Sequence, residues 1–541
     1  MRRLPSTVVR RLTAAALVGA AALLVAACDT GAPDLEFTGP DDGVVLAADA
    51  VAEAAWEVRS PETVPETVGF ALDGEPTEAE ATDGALRWTA ADLDDGEYVL
   101  SVQRDDPEDD AEPETLHEWR FALDTTAPEI ELTSPDSAVV AGDPVVVAGT
   151  TEPGAVVTVD AQDTTAGDDG GFEVELADPP EGEIAIVAVD AAGNASDDAF
   201  TLVTVPSRVE VERIRGVHVT AYAWATPSYR ERVLAMIDDG IINTVALTLK
   251  DEGGMVGWDS EVDLAQASGA ASGVYDLAAV VEELHAHGAH VAGRIVAFRD
   301  GMLGGLALER GESDWLIQTP DGEPFTGKYG CCFISFASPD VIEYNLALAE
   351  EAAAVGVDTI LWDYIRRPDG PVENMVVPGV AADADGATLE AAVADFARQA
   401  DERLARYGVG HAASLYGIAA DRPTQIAQDV PALSEHLDFV APMVYPSHWG
   451  PGEYGVADPN RQPYDIITAT LGIWKETVDG ARARIVPWLE DTRYREWDRP
   501  HQVREQIRAA RDQGIEEFLM WDPNVQYTLE AYDTIPEGRE E

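Results

Sequence analysis

The stretch Asp358-Thr-Ile-Leu-Trp-Asp363-Tyr-Ile-Arg-Arg-Pro368 decides the fold. A short apolar run of strand length ends in a carboxylate, and an aromatic residue, two arginines and a proline follow. Barrels and doubly wound folds place their polar site residues at the carboxyl ends of parallel strands. Because an ordinary strand-to-loop junction with a capping aspartate has the same pattern, the neighbouring segments must decide between the two.

Apolar strands and amphipathic helices alternate from Arg215 onward. Eight such units predict a closed (β/α)8 barrel over residues 215–535, with an open doubly wound sheet as the alternative. The predicted strands are 216–222, 244–250, 290–298, 359–364, 410–416, 439–445, 485–489 and 518–521. The predicted helices include 228–239, 276–287, 339–355, 388–407, 464–478 and 500–513. Several helices are expected to stop at a glycine: Gly240, Gly288, Gly356, Gly408 and Gly514.

Polar and aromatic residues recur where these strands end. They are Lys250, Asp251 and Glu252 after the second strand, Arg294 on the third, Asp363, Tyr364 and Arg366 at the fourth, Tyr445 and His448 at the sixth, Trp488, Glu490 and Asp491 at the seventh, and Trp521 and Asp522 at the eighth. Carboxylates and flat aromatic rings that converge on one barrel mouth indicate a functional site for a polar, ring-shaped ligand.

The sequence from about Arg215 to Tyr532 resembles a bacterial family of glycoside hydrolase barrels of unassigned activity, distantly related to the α-amylase-type barrels. The segments that carry the resemblance are Gly216-Val-His-Val-Thr220, Thr248-Leu-Lys-Asp251, Ala292-Gly-Arg294-Ile-Val-Ala-Phe298, Trp362-Asp-Tyr-Ile-Arg366, Ala441-Pro-Met-Val-Tyr-Pro-Ser-His448, Tyr454-Gly-Val-Ala-Asp-Pro-Asn460 and Val486-Pro-Trp488. The resemblance implies a polysaccharide or oligosaccharide substrate and paired carboxylates that need no cofactor and no metal.

The resemblance also implies roles for individual residues. Asp363 is the expected nucleophile or charge stabiliser, kept ionised by Arg294 and Arg366. Glu490 or Asp491 is the expected proton donor, with Asp251 as a further catalytic candidate. The expected substrate-binding residues are Lys250, Arg294, Tyr364, Arg366, Tyr445, His448, Trp488, Trp521 and Asp522.

One position departs from the family pattern. The fifth strand reads Ala413-Ser414-Leu415-Tyr416-Gly417, with Ser414 where an acidic residue is expected. A serine hydroxyl is too weak an acid to protonate a departing sugar oxygen. A surface hydrolase whose acid lies on another strand and a glycan-binding protein without turnover therefore both remain open. A purely structural envelope protein would leave the barrel mouth unexplained.

The region between the N-terminus and the barrel alternates short apolar strands with Gly, Pro and Asp turns. This pattern predicts two immunoglobulin-like β-sandwich modules, at 34–125 and 126–206, that act as spacers. Cys331 and Cys332 are adjacent, lack partners at zinc-like spacing, and are expected in a packed loop above the barrel.

The charge balance is strongly acidic. Lys and Arg number 35 against 101 Asp and Glu, a formal net charge of −66. Nucleic acid is therefore excluded as a partner, and the distributed acidity is typical of proteins exposed to high salt (a halophilic pattern), where screening relieves self-repulsion.

The N-terminus predicts export and a lipid anchor. Basic residues precede an apolar run that ends Val-Ala-Ala-Cys28, so residues 1–28 resemble a lipoprotein signal peptide in which Cys28 is lipidated. The alternative is plain secretion with an incidental cysteine. The expected location is the outer face of the bacterial cytoplasmic membrane.

Replacing the predicted lipidation residue tests this anchor. Cys28→Ser should move the protein from the membrane fraction to the medium, because no acyl chain can then be attached. Immunoblots of both fractions measure the shift, and unchanged membrane association of the variant would contradict the prediction.

Overall fold

The computed structural model describes residues 34–533 except 83, 106–111, 136–137, 178, 181, 328–329, 382–383 and 493–497. Cys28 and the predicted signal peptide lie outside the described residues. The described chain forms two compact units: residues up to 135 together with 144–202, and residues 136–143 together with the chain from 203 onward.

The first unit is all-β apart from one short helix, and it spans the first predicted module and most of the second. Its N-terminal part has two sheets, ordered β1-β3-β7-β6 and β2-β9-β8-β4-β5. One apolar core, which includes Trp56, Trp88 and Trp119, joins the two sheets into a sandwich. The elements are β1 (Glu36–Thr38), β2 (Val44–Leu46), α1 (Ala48–Val51), β3 (Trp56–Arg59), β4 (Val68–Leu72), β5 (Glu75–Thr77), β6 (Glu80–Thr82), β7 (Ala85–Trp88), β8 (Gly96–Arg104) and β9 (Glu114–Leu123).

The second module also pairs its strands into two main antiparallel sheets, β10-β12-β15 and β14-β13-β16-β17. Its strands alternate buried and exposed residues, as Val145–Thr150 and Gly171–Leu176 show, because one face packs on the core and the other meets water. The strands are β10 (Glu131–Ser134), β11 (Val139–Val140), β12 (Val145–Thr150), β13 (Val156–Val159), β14 (Gln162–Thr165), β15 (Gly171–Leu176), β16 (Gly182–Val189), β17 (Ala195–Leu202) and β18 (Thr204–Val205); β11 pairs with β18 and both belong to the second unit.

The second unit is a closed parallel barrel surrounded by helices. Its sheet runs β23-β22-β21-β20-β19-β27-β26-β24-β25, and a further pairing of β23 with β24 closes the ring. The strands are β19 (Arg215–Val219), β20 (Thr244–Lys250), β21 (His290–Val296), β22 (Thr359–Asp363), β23 (Gly410–Tyr416), β24 (Phe439–Met443), β25 (Arg484–Ile485), β26 (Trp488–Glu490) and β27 (Phe518–Trp521). Because β25 and β26 share the seventh position, the predicted eight-stranded barrel is confirmed and the open sheet is wrong.

Helices cover the outside of the barrel. They are α2 (Ala221–Ala225), α3 (Pro227–Asp238), α4 (Asp263–Ser268), α5 (Leu277–Ala286), α6 (Gly301–Arg310), α7 (Pro339–Ala354), α8 (Gly386–Ala405), α9 (Val430–Ser434), α10 (Pro463–Thr477) and α11 (Arg499–Asp512). The predicted stops Gly240, Gly288, Gly356, Gly408 and Gly514 all have positive φ, the conformation that ends a helix.

Two apolar layers hold the barrel together. The large cluster between strands and helices includes outward-facing residues such as Val245, Ile295 and Trp362. A smaller cluster fills the interior with mostly small side chains, among them Ala292 and Ala412, and a few large ones. Because successive strand residues face opposite sides, the inward positions continue toward the carboxyl ends as Arg294, Asp363 and Glu490.

Candidate active site

A cavity of about 270 Å³ lies at the carboxyl ends of the barrel strands. It is lined by Glu252, Arg294, Asp363, Tyr364, Arg366, Tyr416, Met443, Tyr445, Ser447, His448, Trp488, Glu490, Thr492, Trp521 and Pro523. The structure thus brings together the predicted residues Asp363, Glu490, Arg294, Tyr364, Arg366, Tyr445, His448, Trp488 and Trp521. They come from five barrel strands and the loops that follow them.

Arg294 links two carboxylates in this cavity. Its guanidinium donates from Nε to Asp363 Oδ2 at 2.8 Å, and its Nη2 lies 2.6 Å from both Asp363 Oδ2 and Glu252 Oε1. The side chain of Arg294 is only 2% exposed, so its charge would be costly without these partners. Asp363 Oδ1 also accepts a hydrogen bond from the Tyr364 backbone N–H at 2.7 Å.

The two partners of Arg294 have opposite pKa shifts. Burial works against ionisation of Glu252, but the Arg294 guanidinium outweighs it and lowers the pKa of Glu252 to about 2. Burial raises the pKa of Asp363, and the nearby Glu252 charge adds to this, although Arg294 opposes both. Arg294 favours the ionised form of Asp363, as expected, but burial has the larger effect on the pKa of this carboxyl. Arg366, the second expected partner, has no contact with Asp363 among the described residues.

Glu490 is a buried carboxyl of a different kind. Its oxygens accept hydrogen bonds from the Ser447 backbone N–H and hydroxyl, each at 2.7 Å, and from the Thr492 hydroxyl at 3.2 Å. Burial raises the pKa of Glu490, opposed only by these neutral donors. Of the two carboxyl groups, Asp363 has a guanidinium partner and Glu490 has none among the described contacts. The neutral acid is therefore easier to maintain on Glu490.

Aromatic rings form much of the cavity wall. Trp488 and Trp521 meet edge to face, with ring centroids 6.0 Å apart. His218 stacks on Trp521 at 4.0 Å and is neutral, because burial and the nearby Arg294 lower its pKa to about 3. Tyr364 has a φ of 54°, a left-handed conformation that non-glycine residues adopt at some cost and that is concentrated at functional sites.

Ser414 lies inside the barrel and does not line the cavity. It is 1% exposed, and its hydroxyl accepts a hydrogen bond from Trp488 Nε1 at 2.9 Å. The fifth strand contributes Tyr416 to the cavity. Ser414 therefore orients the indole of Trp488, and an acid for the site has to come from another strand.

Asp491 and Asp522 lie outside the cavity, contrary to their predicted place in the site. Each follows an inward-facing strand residue, so alternation turns it to the outer side. Asp491 is fully buried against Arg499, Thr528 and Tyr532, with the Tyr532 hydroxyl at 3.0 Å. Asp522 caps the following turn by accepting from the Gln526 N–H at 2.9 Å. Both carboxylates hold loops in place.

Lys250 and Asp251 also stabilise the fold and do not line the cavity. A register shift after Thr248 turns Lys250 to the outer face, where its ammonium lies 2.8 Å from Asp300 and donates to Asn345 at 3.0 Å. Asp251 Oδ1 accepts from the backbone N–H groups of Gly253 and Met255. The predicted binding role of Lys250 and catalytic role of Asp251 do not fit these positions.

The sequence analysis named Glu252 at a strand end but assigned it no role in the site, and it did not select Tyr416, Met443, Ser447, Thr492 and Pro523. A signal for Glu252 was present: Asp251 stands two residues before Gly253, the spacing at which an aspartate caps its own turn. The next carboxylate was then the one free to reach the barrel mouth.

Two further features of the described residues bear on function. No helix among them is long and apolar enough to cross a membrane, and no group of three or more His, Cys, Asp or Glu there could hold a metal ion. Cys331 and Cys332 form a disulfide in the loop between α6 and α7, with Cys332 buried beside Gly304.

The fold is a closed parallel barrel with a polar, aromatic cavity at the carboxyl ends of its strands. The profile of a family described as "Putative glycosyl hydrolase domain" matches residues 216–527, and the chain belongs to that family. A second profile, described as "Bacterial Ig domain", matches residues 132–206 and confirms the predicted second module. No curated protein is significantly similar to the chain.

Solved structures with a similar fold are distant in sequence. The PgaB (BpsB) glycoside hydrolase domain from Bordetella bronchiseptica is 16% identical, over 58% of this chain and 95% of that one, with a TM-score of 0.40. An endo-1,4-β-D-mannanase from Thermotoga petrophila is 12% identical, over 57% and 88%, with a TM-score of 0.38. A hypothetical protein from Ruminiclostridium thermocellum is 23% identical, over 36% and 96%, with a TM-score of 0.32. At these values the likeness carries no information about the site.

The buried Lys250–Asp300 pair predicts a stability defect without a binding defect. Lys250→Met should lower the free energy of unfolding by about 3–5 kcal/mol, because Asp300 would be left buried and unpaired. Urea unfolding monitored by circular dichroism measures the loss. Unchanged stability together with weakened glycan binding would instead place Lys250 in the site.

Glu252 should set the pH at which Asp363 ionises. Glu252→Gln removes an anion that raises the pKa of Asp363. Arg294 then has Asp363 as its one charged partner of the two, so the pKa of Asp363 should fall. Activity that requires the Asp363 anion is lost as pH falls through this pKa, so the low-pH limb of the pH–rate profile should move to lower pH. A limb that stays in place or moves upward would contradict the assignment.

Proposed function

We propose that the barrel is a glycoside hydrolase that cleaves O-glycosidic bonds of an extracellular or envelope polysaccharide with Asp363 and Glu490. One observation carries the proposal: two buried carboxyls line the same aromatic cavity, and among the described residues only Asp363 has a cationic partner. Glycoside cleavage needs one neutral carboxylic acid, which protonates the leaving oxygen, and one carboxylate, which acts at the anomeric carbon.

The contacts assign the two roles. Glu490, whose pKa is raised by burial, donates its proton to the leaving oxygen as the bond between that oxygen and the anomeric carbon breaks. Asp363, held by Arg294, stabilises the positive charge that develops at the anomeric carbon. Water then adds its hydroxyl to that carbon, and its remaining proton restores the acid. The rings of Trp488 and Trp521 offer apolar faces to the sugar.

We place this activity outside the cytoplasm. The support is the N-terminal sequence, in which a signal-like segment ends at Cys28. Lipid on Cys28 would tether the protein to the outer face of the cytoplasmic membrane, with the two β modules as spacers before the barrel.

Glycan binding without turnover is the second candidate. Ser414 favours it, because the fifth strand brings no carboxylate to the cavity and its serine is already bonded to Trp488. The two candidates differ in what happens to a bound glycan, so assays of reducing ends and of binding on the same sample separate them.

Substituting the two carboxyls tests the proposal. Asp363→Asn should reduce kcat at least about 100-fold, because the charge that stabilises the transition state is lost. Glu490→Gln should reduce kcat about 10²–10⁴-fold on natural glycans and far less on activated aryl glycosides, whose leaving groups need little protonation. Release of reducing ends and of the aryl group measures the two effects.

Matched controls come from the exposed face of α8. Asp395→Asn and Glu402→Gln make the same chemical changes at exposed positions and should leave kcat unchanged. Full activity of Asp363→Asn would refute the site. Tight glycan binding by the wild type with no cleavage of any glycan would make the barrel a binding module.

A further inference from the structure

Arg366 is the second cation in the cavity wall, and its surroundings differ from those of Arg294. The guanidinium packs over the rings of Tyr364 and Tyr416, with its carbon 4.8 and 4.5 Å from their centroids. Nη1 donates to the Arg367 carbonyl at 2.9 Å and lies 3.6 Å from Asp369. Nη2 is buried and has no hydrogen-bond partner among the residues that the structure describes.

This unpartnered donor is unusual because buried polar groups are almost always satisfied. The Arg366 side chain is 2% exposed, whereas its ion-pair neighbour Asp369 is 40% exposed, so water screens the charge of that carboxylate. Arg294 uses its charge on Glu252 and Asp363 and has little left for a ligand. Arg366 is therefore the cation of the cavity wall that still has a hydrogen-bond donor without a described partner.

We propose that Arg366 recognises a carboxylate on the substrate, so that the glycan contains acidic sugars such as uronic acids. The inference rests on the proposed function, because it places the acidic sugar in the same cavity as Asp363 and Glu490. A guanidinium forms its strongest hydrogen bonds with carboxylates, and burial between two tyrosine rings fixes its plane. A neutral hydroxyl could accept from Nη2 but would add no negative charge to that of the half-exposed Asp369.

The net charge of the chain sets a condition on this recognition. At −66 the protein repels polyanions at long range, so acidic glycans must be held by a local contact. Salt shortens the screening length from about 10 Å at 0.1 M to about 3 Å at 1 M, which removes the repulsion between exposed charges and affects a buried pair much less. Affinity for an acidic glycan should therefore rise with salt.

The test compares an oligouronide with the same oligosaccharide after its carboxyl groups have been reduced to alcohols. Binding is measured by calorimetry on the full chain carrying Asp363→Asn, which removes turnover. The oligouronide should bind about 10- to 100-fold more tightly than its reduced form, the range expected for a hydrogen bond to a charged group. Equal affinities would overturn the proposal without any further variant.

Substitutions at position 366 then locate the contact. Added to the Asp363→Asn background, Arg366→Gln should abolish the preference for the oligouronide over its reduced form, whereas Arg366→Lys should retain part of that preference because the charge remains. Arg398→Gln, which removes the same charge from the exposed face of α8, should change neither affinity. A preference that survives Arg366→Gln, a preference for sulfated over carboxylated sugars, or oligouronide affinity that falls with salt would each contradict the proposal.

The outcomes also separate this inference from the proposed function. Selective binding of oligouronides that wild type never cleaves would refute hydrolysis and support recognition by Arg366. Cleavage of neutral glycans, with oligouronides neither bound nor cleaved, would support hydrolysis and refute the carboxylate contact.

Discussion

The Arg294 guanidinium is the interaction on which the barrel mouth depends. It is buried on the third barrel strand and bonded to Asp363 on the fourth and Glu252 after the second. Each carboxylate makes the buried cation tolerable, and the cation in turn fixes both carboxylates. Removing any one member would leave a buried charge without its full compensation, so the site is assembled as a unit.

This arrangement gives three carboxyls in one small cavity different electrostatic surroundings. Glu252 is held as an anion, with its pKa lowered to about 2, and Asp363 shares the same guanidinium under a stronger burial penalty. Glu490 lines the same cavity from the seventh strand position, and its partners among the described residues are neutral donors. The surroundings of Glu490 and Asp363, rather than their residue types, therefore assign one carboxyl the role of acid and the other that of anion, as paired catalytic carboxyls require.

The fold was predictable because its signals are periodic. Strand runs, helical faces and terminal glycines such as Gly356 each have a local physical cause, and their positions agree with the structure. The site was predictable only in part. Asp363 and Glu490 were found as strand-end carboxylates. In the neighbouring pairs Asp251/Glu252 and Glu490/Asp491, the sequence did not show which side chain points into the cavity. A register shift turned Lys250 outward, and one step of alternation removed Asp491 from the cavity. Such shifts leave no trace in composition or spacing.

The protonation states of Glu490 and Asp363 near neutral pH are the most direct test of this account. Infrared difference spectroscopy distinguishes a protonated carboxyl from a carboxylate in the folded protein. The spectrum of Glu490→Gln, compared with the wild type, should lack one protonated-carboxyl band, and that of Asp363→Asn should lack a carboxylate band. The reverse pattern, with the protonated band lost in Asp363→Asn, would contradict the assignment of acid and anion.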